Sequence, residues 1–337
     1  MKINEYDTQE RVYLIAEIGN NHEGSLDTAR KMVDAALEAD VDAVKFQIFR
    51  TEEYIAASNP DRFTRLKGFE LNPDEFAQLA EQTRAGGAHF VATPFDLASA
   101  KVSAELCDAI KIASGDNTFF PLIDTVAAAG KPAIMSTGLT DVKELREPYG
   151  RLAGALGDEN LALLHCVTNY PVAPEDANVA AVKTLADQFA CEIGYSDHTI
   201  GNDACLAAIA CGARIIEKHF TLDHHFSDFR DHQLSANPAE MTELQQRIRE
   251  FEILLGSGNK IACAAESELA PAVRRSIVTR QALPAGHVLS ANDLTWIRPA
   301  AGMAPGRELE LVGYPLRTAV EAGHQLQSDD VGQQQRD

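Results

Sequence analysis

The chain has 337 residues, of which 45% are hydrophobic and 24% charged, and its 50 acidic against 30 basic side chains give a formal charge of −20. That balance argues against a nucleic-acid partner, which requires a basic face, and no apolar run reaches the roughly 18 residues that cross a bilayer. The opening MKINEYDTQERVYLIAEIG lacks a basic segment leading into an apolar one, and the six cysteines show no metal-finger spacing, so the expected location is the cytoplasm, with the thiols reduced.

In chain order, strand-like runs are predicted at Val12–Gly19, Ala43–Phe49, His89–Phe95, Ala109–Gly115, Pro132–Gly138, Leu161–Val167, Cys191–Asp197 and Arg214–Phe220. Helical patterns lie between them, among them Leu26–Asp40, Pro73–Ala85, Val142–Leu156 and Val179–Ala190, and Pro238–Leu255 follows the last strand. Eight strands, each followed by a helix, is the count of a (β/α)₈ barrel. The alternative is an open doubly wound sheet, which would more often carry a glycine-rich phosphate loop after its first strand; no G-x-G-x-x-G occurs. The barrel is assigned to residues 1–256, a linker to 257–272 and a compact, mostly β module to 273–332. Gln333–Asp337 reads as a frayed tail.

A barrel collects its polar chemistry at the carboxyl ends of the strands. The sequence meets that demand with Glu17, Lys45 and Gln47, Thr93, Lys111 with Ser114 and Asp116, Ser136, His165 and Thr168, and Ser196. A lysine inside a core strand is costly unless paired. Lys45 and Lys111 therefore suggest a bound anion between them, unless they neutralise carboxylates such as Glu17 and Glu217. The stretch Cys191–Thr221 reads as strand, turn, small-residue helix and strand, and each strand ends in a histidine. Parallel neighbours present their carboxyl ends on one side, so His198 and His219 can meet and hold a divalent cation; the plainer reading has each ending its strand in a hydrogen bond.

Several motifs occur in a telling order: AEIGNNHEGS (16–25), VKFQIF (44–49), ATPFD (92–96), IKIASGD (110–116), STG (136–138), LLHCVTNYP (163–171), GYSDHTIG (194–201) and EKHFT (217–221). Together they resemble the N-acetylneuraminate (sialic acid) synthase family, which also makes legionaminic and pseudaminic acids. RRSIVTRQALPAGHVLSANDLTWIRP (274–299) resembles that family's C-terminal antifreeze-like (SAF) module. The resemblance implies condensation of phosphoenolpyruvate with the open-chain aldehyde of an N-acylated hexosamine, releasing phosphate. It further implies a phosphoenolpyruvate pocket of Lys45, Thr93, Lys111, Ser114, Ser136, Thr168 and Ser196, and a manganese or magnesium ion on His198 and His219. Glu17 would activate water, and Asp231, Gln47 and Tyr170 would face the acceptor sugar. Arg298 would enter the barrel of a partner subunit, implying a domain-swapped homodimer.

Two departures bear on the acceptor. Asp116 stands where many members of that family have glutamate, and Thr51–Asn72 is comparatively short, with Phe63 where tyrosine is common. His22, His165 and His232 read as supporting or structural histidines. Two other readings stand beside the synthase. A related enzyme acting on an aldose phosphate would need a second phosphate site, and no surplus arginines lie at the strand ends; a non-catalytic sugar-binding barrel would have no use for Glu17, Lys111 and the histidines together.

Overall fold

The computed structural model describes residues 1–333 and divides the chain into two compact units, Met1–Gly256 and Ser257–Asp337. In the first, eight parallel strands close into a barrel: β1 (Tyr13–Gly19), β2 (Ala43–Ile48), β3 (His89–Pro94), β4 (Ala109–Ile112), β5 (Ala133–Ser136), β6 (Leu161–Cys166), β7 (Glu192–Asp197) and β8 (Ile215–His219), with β8 pairing back onto β1. The predicted strands are all present, each trimmed by a residue or more.

Side chains alternate across each stave. Outward-facing Leu14, Ala16 and Ile18 of β1, with Val44 and Phe46 of β2, pack against the surrounding helices in one continuous apolar core. Inward-facing residues behave differently along their length. At the amino end they are apolar: Tyr13, Ile15, Ala43, Val91, Ala109, Ile134, Ala162, Leu164 and Ile215 form a separate plug. Two-residue strands Lys2–Ile3 and Tyr6–Asp7 form a hairpin whose Ile3 and Tyr6 join that plug. One or two pleats further on, the inner face turns polar, with Glu17, Lys45, Thr93, Lys111, Ser136, Ser196, Glu217 and His219, all buried. The closed apolar end and the polar open end together fix where chemistry can take place.

Helices Pro73–Ala85 and Pro238–Leu255 begin where sequence signals place them, each with proline in the first turn and a reciprocal asparagine–glutamate capping box. The segment after β2, left without structure by the sequence reading, contains helices Thr51–Tyr54 and Pro60–Phe69. The expected linker 257–272 is corrected in part, because Ala264–Val273 is a helix capped by Cys263 and Glu266. It has no buried residue, so apolar periodicity could not announce it.

The second unit holds β9 (Ser276–Thr279) paired antiparallel with β10 (Leu294–Ile297). Elsewhere in this mostly β module the pairing consists of isolated bridges such as Leu283–Val320 and Leu316–Val331. Ile277, Leu283, Leu289, Leu294, Leu311 and Leu326 are among its core residues. Residues 334–337 of the expected tail lie outside the described residues.

Candidate active site

Barrel register brings the polar residues together. Pairing of β1 with β2 sets Glu17 beside Lys45, pairing of β8 with β1 sets His219 beside Glu17, and pairing of β8 with β7 sets Glu217 beside Ser196. Above them opens a cavity of about 700 Å³ lined by residues from all eight strand ends. Of the predicted site residues, Glu17, Lys45, Gln47, Thr93, Lys111, Ser114, Ser136, Thr168, Tyr170, Ser196, His198, His219 and Asp231 line it.

Asp116 is half-buried in the one-turn helix Ser114–Asp116 and is not part of the lining. Arg298 is an exposed residue of the second unit. His22, His165 and His232 stay outside the lining; His165 Nε2 donates to the Ala177 carbonyl at 2.9 Å.

The floor is a compact charge network. Lys45 Nζ lies 2.8 Å from Glu17 Oε2 and 3.6 Å from Glu217 Oε1, and donates to Thr93 Oγ1 at 3.0 Å. Lys111 Nζ donates to Ser136 Oγ at 2.6 Å and to the Ile112 carbonyl at 3.1 Å, with Glu217 Oε2 at 4.0 Å. Both lysines therefore have carboxylate partners, the alternative raised by the sequence. Their electrostatic positions still differ. Burial opposes the charge on Lys45, but Glu17 and Glu217 outweigh it and hold the ammonium above the ordinary lysine pKa. Burial pushes Lys111 below it, with Glu217 opposing and Lys45 adding to the shift.

The carboxylates also diverge. Burial raises Glu17, with Lys45 opposing and Glu217 reinforcing; for Glu217 burial is overcome by Lys111 and Lys45, which lower it. Glu17 is the more basic of the two, and Gln47 Nε2 donates to its Oε1 at 3.0 Å.

Hydroxyls converge beside Lys111. Ser114 Oγ accepts from the Gly138 amide at 3.1 Å, and the buried Thr168 Oγ1 has no partner. Gly138 makes this possible: a Cβ there would collide with Thr168 Oγ1 and stand 2.7 Å from Ser114 Oγ. Gly138→Ala is accordingly expected to push both hydroxyls aside and to weaken any anion bound beside Lys111 about 10-fold or more, while leaving the barrel folded; a binding titration with inorganic phosphate and circular dichroism check both halves.

At the rim, the ring centres of His198 and His219 lie 5.2 Å apart, and the Tyr170 ring lies tilted with its centre 4.1 Å from that of His198. His198 Nδ1 donates to the Val167 carbonyl at 2.8 Å, which leaves Nε2 as the free lone pair. His219 is buried with Nδ1 unpartnered. A fixed tautomer and an orphaned imidazole nitrogen are what a pair of cation-binding histidines requires. No cluster of three or more His, Cys, Asp or Glu side chains suited to a metal occurs among the described residues, so the remaining donors would be water and substrate oxygens.

Sequence reasoning missed one wall. Arg62 and Arg65 from helix Pro60–Phe69, and Arg230 from the loop after β8, line the cavity. Arg230 lies 4.8 Å over the Tyr170 ring and 3.2 Å from Asp231. The strand ends themselves carry no surplus arginine; these three come from connections, where a strand-end search does not look.

A family model described as the NeuB family matches residues 32–260, and the SAF domain model matches 274–332. An N,N'-diacetyllegionaminic acid synthase of Legionella pneumophila is 38% identical over 331 residues, covering 93% of each chain. An N-acetylneuraminate-9-phosphate synthase of Homo sapiens is 30% identical, covering 93% of this chain and 90% of its own. The crystal structure of the N-acetylneuraminic acid (sialic acid) synthetase from Leptospira borgpetersenii serovar Hardjo-bovis in complex with citrate superposes with a TM-score of 0.73 at 35% identity, covering 77% of this chain and 90% of that one.

Proposed function

Because the chain belongs to the NeuB family, whose synthases are carbon–carbon bond-forming transferases, we propose that it condenses phosphoenolpyruvate with an open-chain N-acylated hexosamine to give a nine-carbon nonulosonic acid and phosphate. The observation that carries this reading is the charge network itself. Two buried ammonium groups and the hydroxyls of Ser114, Ser136, Thr168 and Ser196 surround one end of a cavity sized for two small substrates. Burial disfavours the charge on Lys111, and an arriving phosphate ester would offset that cost.

Lys45 and Lys111 bind the carboxylate and phosphate, with Thr93 and the four hydroxyls completing the cradle. Gln47, Tyr170 and Asp231 orient the sugar so that its aldehyde carbon faces C3 of the enolpyruvate. Attack from C3 leaves positive character at C2, which water captures. Glu17, the more basic carboxylate, takes the proton from that water. The tetrahedral species then expels phosphate and leaves the 2-keto acid. His198 and His219 would hold a divalent cation, Mn²⁺ or Mg²⁺, which when bound would supply Lewis-acid polarisation of the aldehyde.

Asp116 lies outside the lining, next to the lining residues Ser114 and Gly115, and would reach the acceptor from there. Burial pushes its carboxyl up to about 6, with Lys111 opposing. Below that pH it is neutral and above it a carboxylate able to accept hydrogen bonds from sugar hydroxyls. The acceptor KM is therefore expected to fall as pH rises through about 6, and Asp116→Asn to flatten that dependence; a pH series of acceptor KM checks it.

Arg298 would complete the acceptor site from a second subunit in a domain-swapped homodimer. Arg298→Ala should then raise acceptor KM about 10-fold with little change for phosphoenolpyruvate; an unchanged acceptor KM would remove the arginine from the site. The enzyme would work in the cytoplasm. All six cysteines are free, and no helix among the described residues is long and apolar enough to cross a membrane.

The decisive assay is phosphate release from phosphoenolpyruvate with Mn²⁺ and a panel of N-acetylmannosamine, a diacetamido hexose and N-acetylmannosamine 6-phosphate. Release with either neutral sugar supports the proposal. Arg62 and Arg65 favour a second reading, a phosphorylated acceptor, which release with the phosphate ester alone would select. No release with any sugar would leave a binding barrel.

A further inference from the structure

The four acceptor-side residues Asp228, Phe229, Arg230 and Asp231 sit on the connection after β8, a segment with no strand and only the one-turn helix Asp231–Leu234. Side-chain bonds to a neighbouring turn tie it down. Ser227 and His232 bracket the four lining residues, and both reach one carboxylate. The Ser227 hydroxyl donates to Glu23 Oε1, and His232 Nε2 donates to the same oxygen at 3.0 Å. The other ring nitrogen, Nδ1, is 2.6 Å from Thr221 Oγ1 at the end of β8, and the imidazole is fully buried. A parallel tie runs from Asn21 Nδ2 to Ser235 Oγ at 3.0 Å. Glu23 is held in the turn after β1 at φ 48°, so its carboxylate approaches from a fixed direction.

None of Glu23, Thr221, Ser227 and His232 lines the cavity. From this bracketing we infer that Glu23 and His232 form a latch that sets the position of Phe229, Arg230 and Asp231 over the barrel mouth, and so determines acceptor affinity without touching the acceptor. These are positioning residues. The inference rests on the proposal that Asp231 faces the sugar. With both anchors on one carboxylate oxygen, losing that carboxylate removes a tie at each end of the lining stretch at once, while His232 Nδ1 keeps its contact with Thr221. The phosphoenolpyruvate cradle, built on strand ends, is left in place.

The test compares Glu23→Ala, Glu23→Gln and Asp231→Ala in the full chain, using phosphate release with whichever panel sugar turns over, together with hydrogen exchange of segment 222–231. Glu23→Ala should raise acceptor KM about 10- to 100-fold, leave phosphoenolpyruvate KM within about two-fold, and speed exchange in the segment. Glu23→Gln, which still accepts both hydrogen bonds, should recover most of the loss; a merely structural role would not give this split. Equal rises in both KM values, or unaltered exchange in Glu23→Ala, would overturn the latch. If Asp231→Ala leaves acceptor KM unchanged, the acceptor assignment fails; faster exchange in Glu23→Ala then still upholds the latch on the loop, and unchanged exchange removes it too.

Discussion

His219→Ala is expected to abolish metal binding and to lower turnover by about a thousand-fold or more. The imidazole is buried, 5.2 Å from that of His198, with Nδ1 unpartnered. Burial, reinforced by the ammonium of Lys45, holds its pKa well below the ordinary histidine value, so it offers a neutral nitrogen. A cation that binds only the folded protein raises Tm in proportion to the logarithm of its concentration. In the unaltered protein, adding millimolar Mn²⁺ should therefore raise Tm, and in His219→Ala that shift should vanish while circular dichroism stays native. An equal shift in both proteins would place the metal elsewhere and remove the Lewis acid from the proposed chemistry.

The second large effect separates two roles of the same ammonium group. Lys111→Met removes one of two cations facing Glu17 and Glu217, all four groups being buried. An uncompensated buried charge costs about 3–5 kcal/mol, so a marked fall in Tm is expected. Loss of the phosphate contact should lower kcat/KM for phosphoenolpyruvate by about 10²–10³. Adding Glu217→Gln restores the charge count and should recover stability without restoring phosphoenolpyruvate affinity. Recovery of both would mean that the lysine serves only the carboxylates, and the anion pocket would be lost from the argument. The single and double variants need only thermal melts and steady-state kinetics.

Much of this molecule is legible in one dimension. Each barrel stave announces itself as a short apolar run closed by polar residues, because burial on two faces demands the first and exposure at the carboxyl end permits the second. The histidines closing β7 and β8 and the lysines of β2 and β4 could be placed at one end of a barrel from strand count and direction alone. The exposed helix Ala264–Val273 was not visible in that way, because it buries nothing. The mostly β character of the second unit was legible, but most of its pairing consists of single bridges between distant residues, which local pattern does not fix.

What the sequence alone determined, then, was the barrel, its polar mouth and the residue types gathered there, since periodicity and strand-end punctuation are local and survive without coordinates. Only the closed tertiary structure decided that Lys45 leans on Glu17, that Lys111 faces Glu217, and that Glu23 grips His232 across 209 positions of chain. It also brought Arg62, Arg65 and Arg230 to the cavity wall from connections that carry no pattern. Which charges meet is set by the register at which the eighth stave closes on the first, a relation between residues about two hundred positions apart that no window along the chain contains.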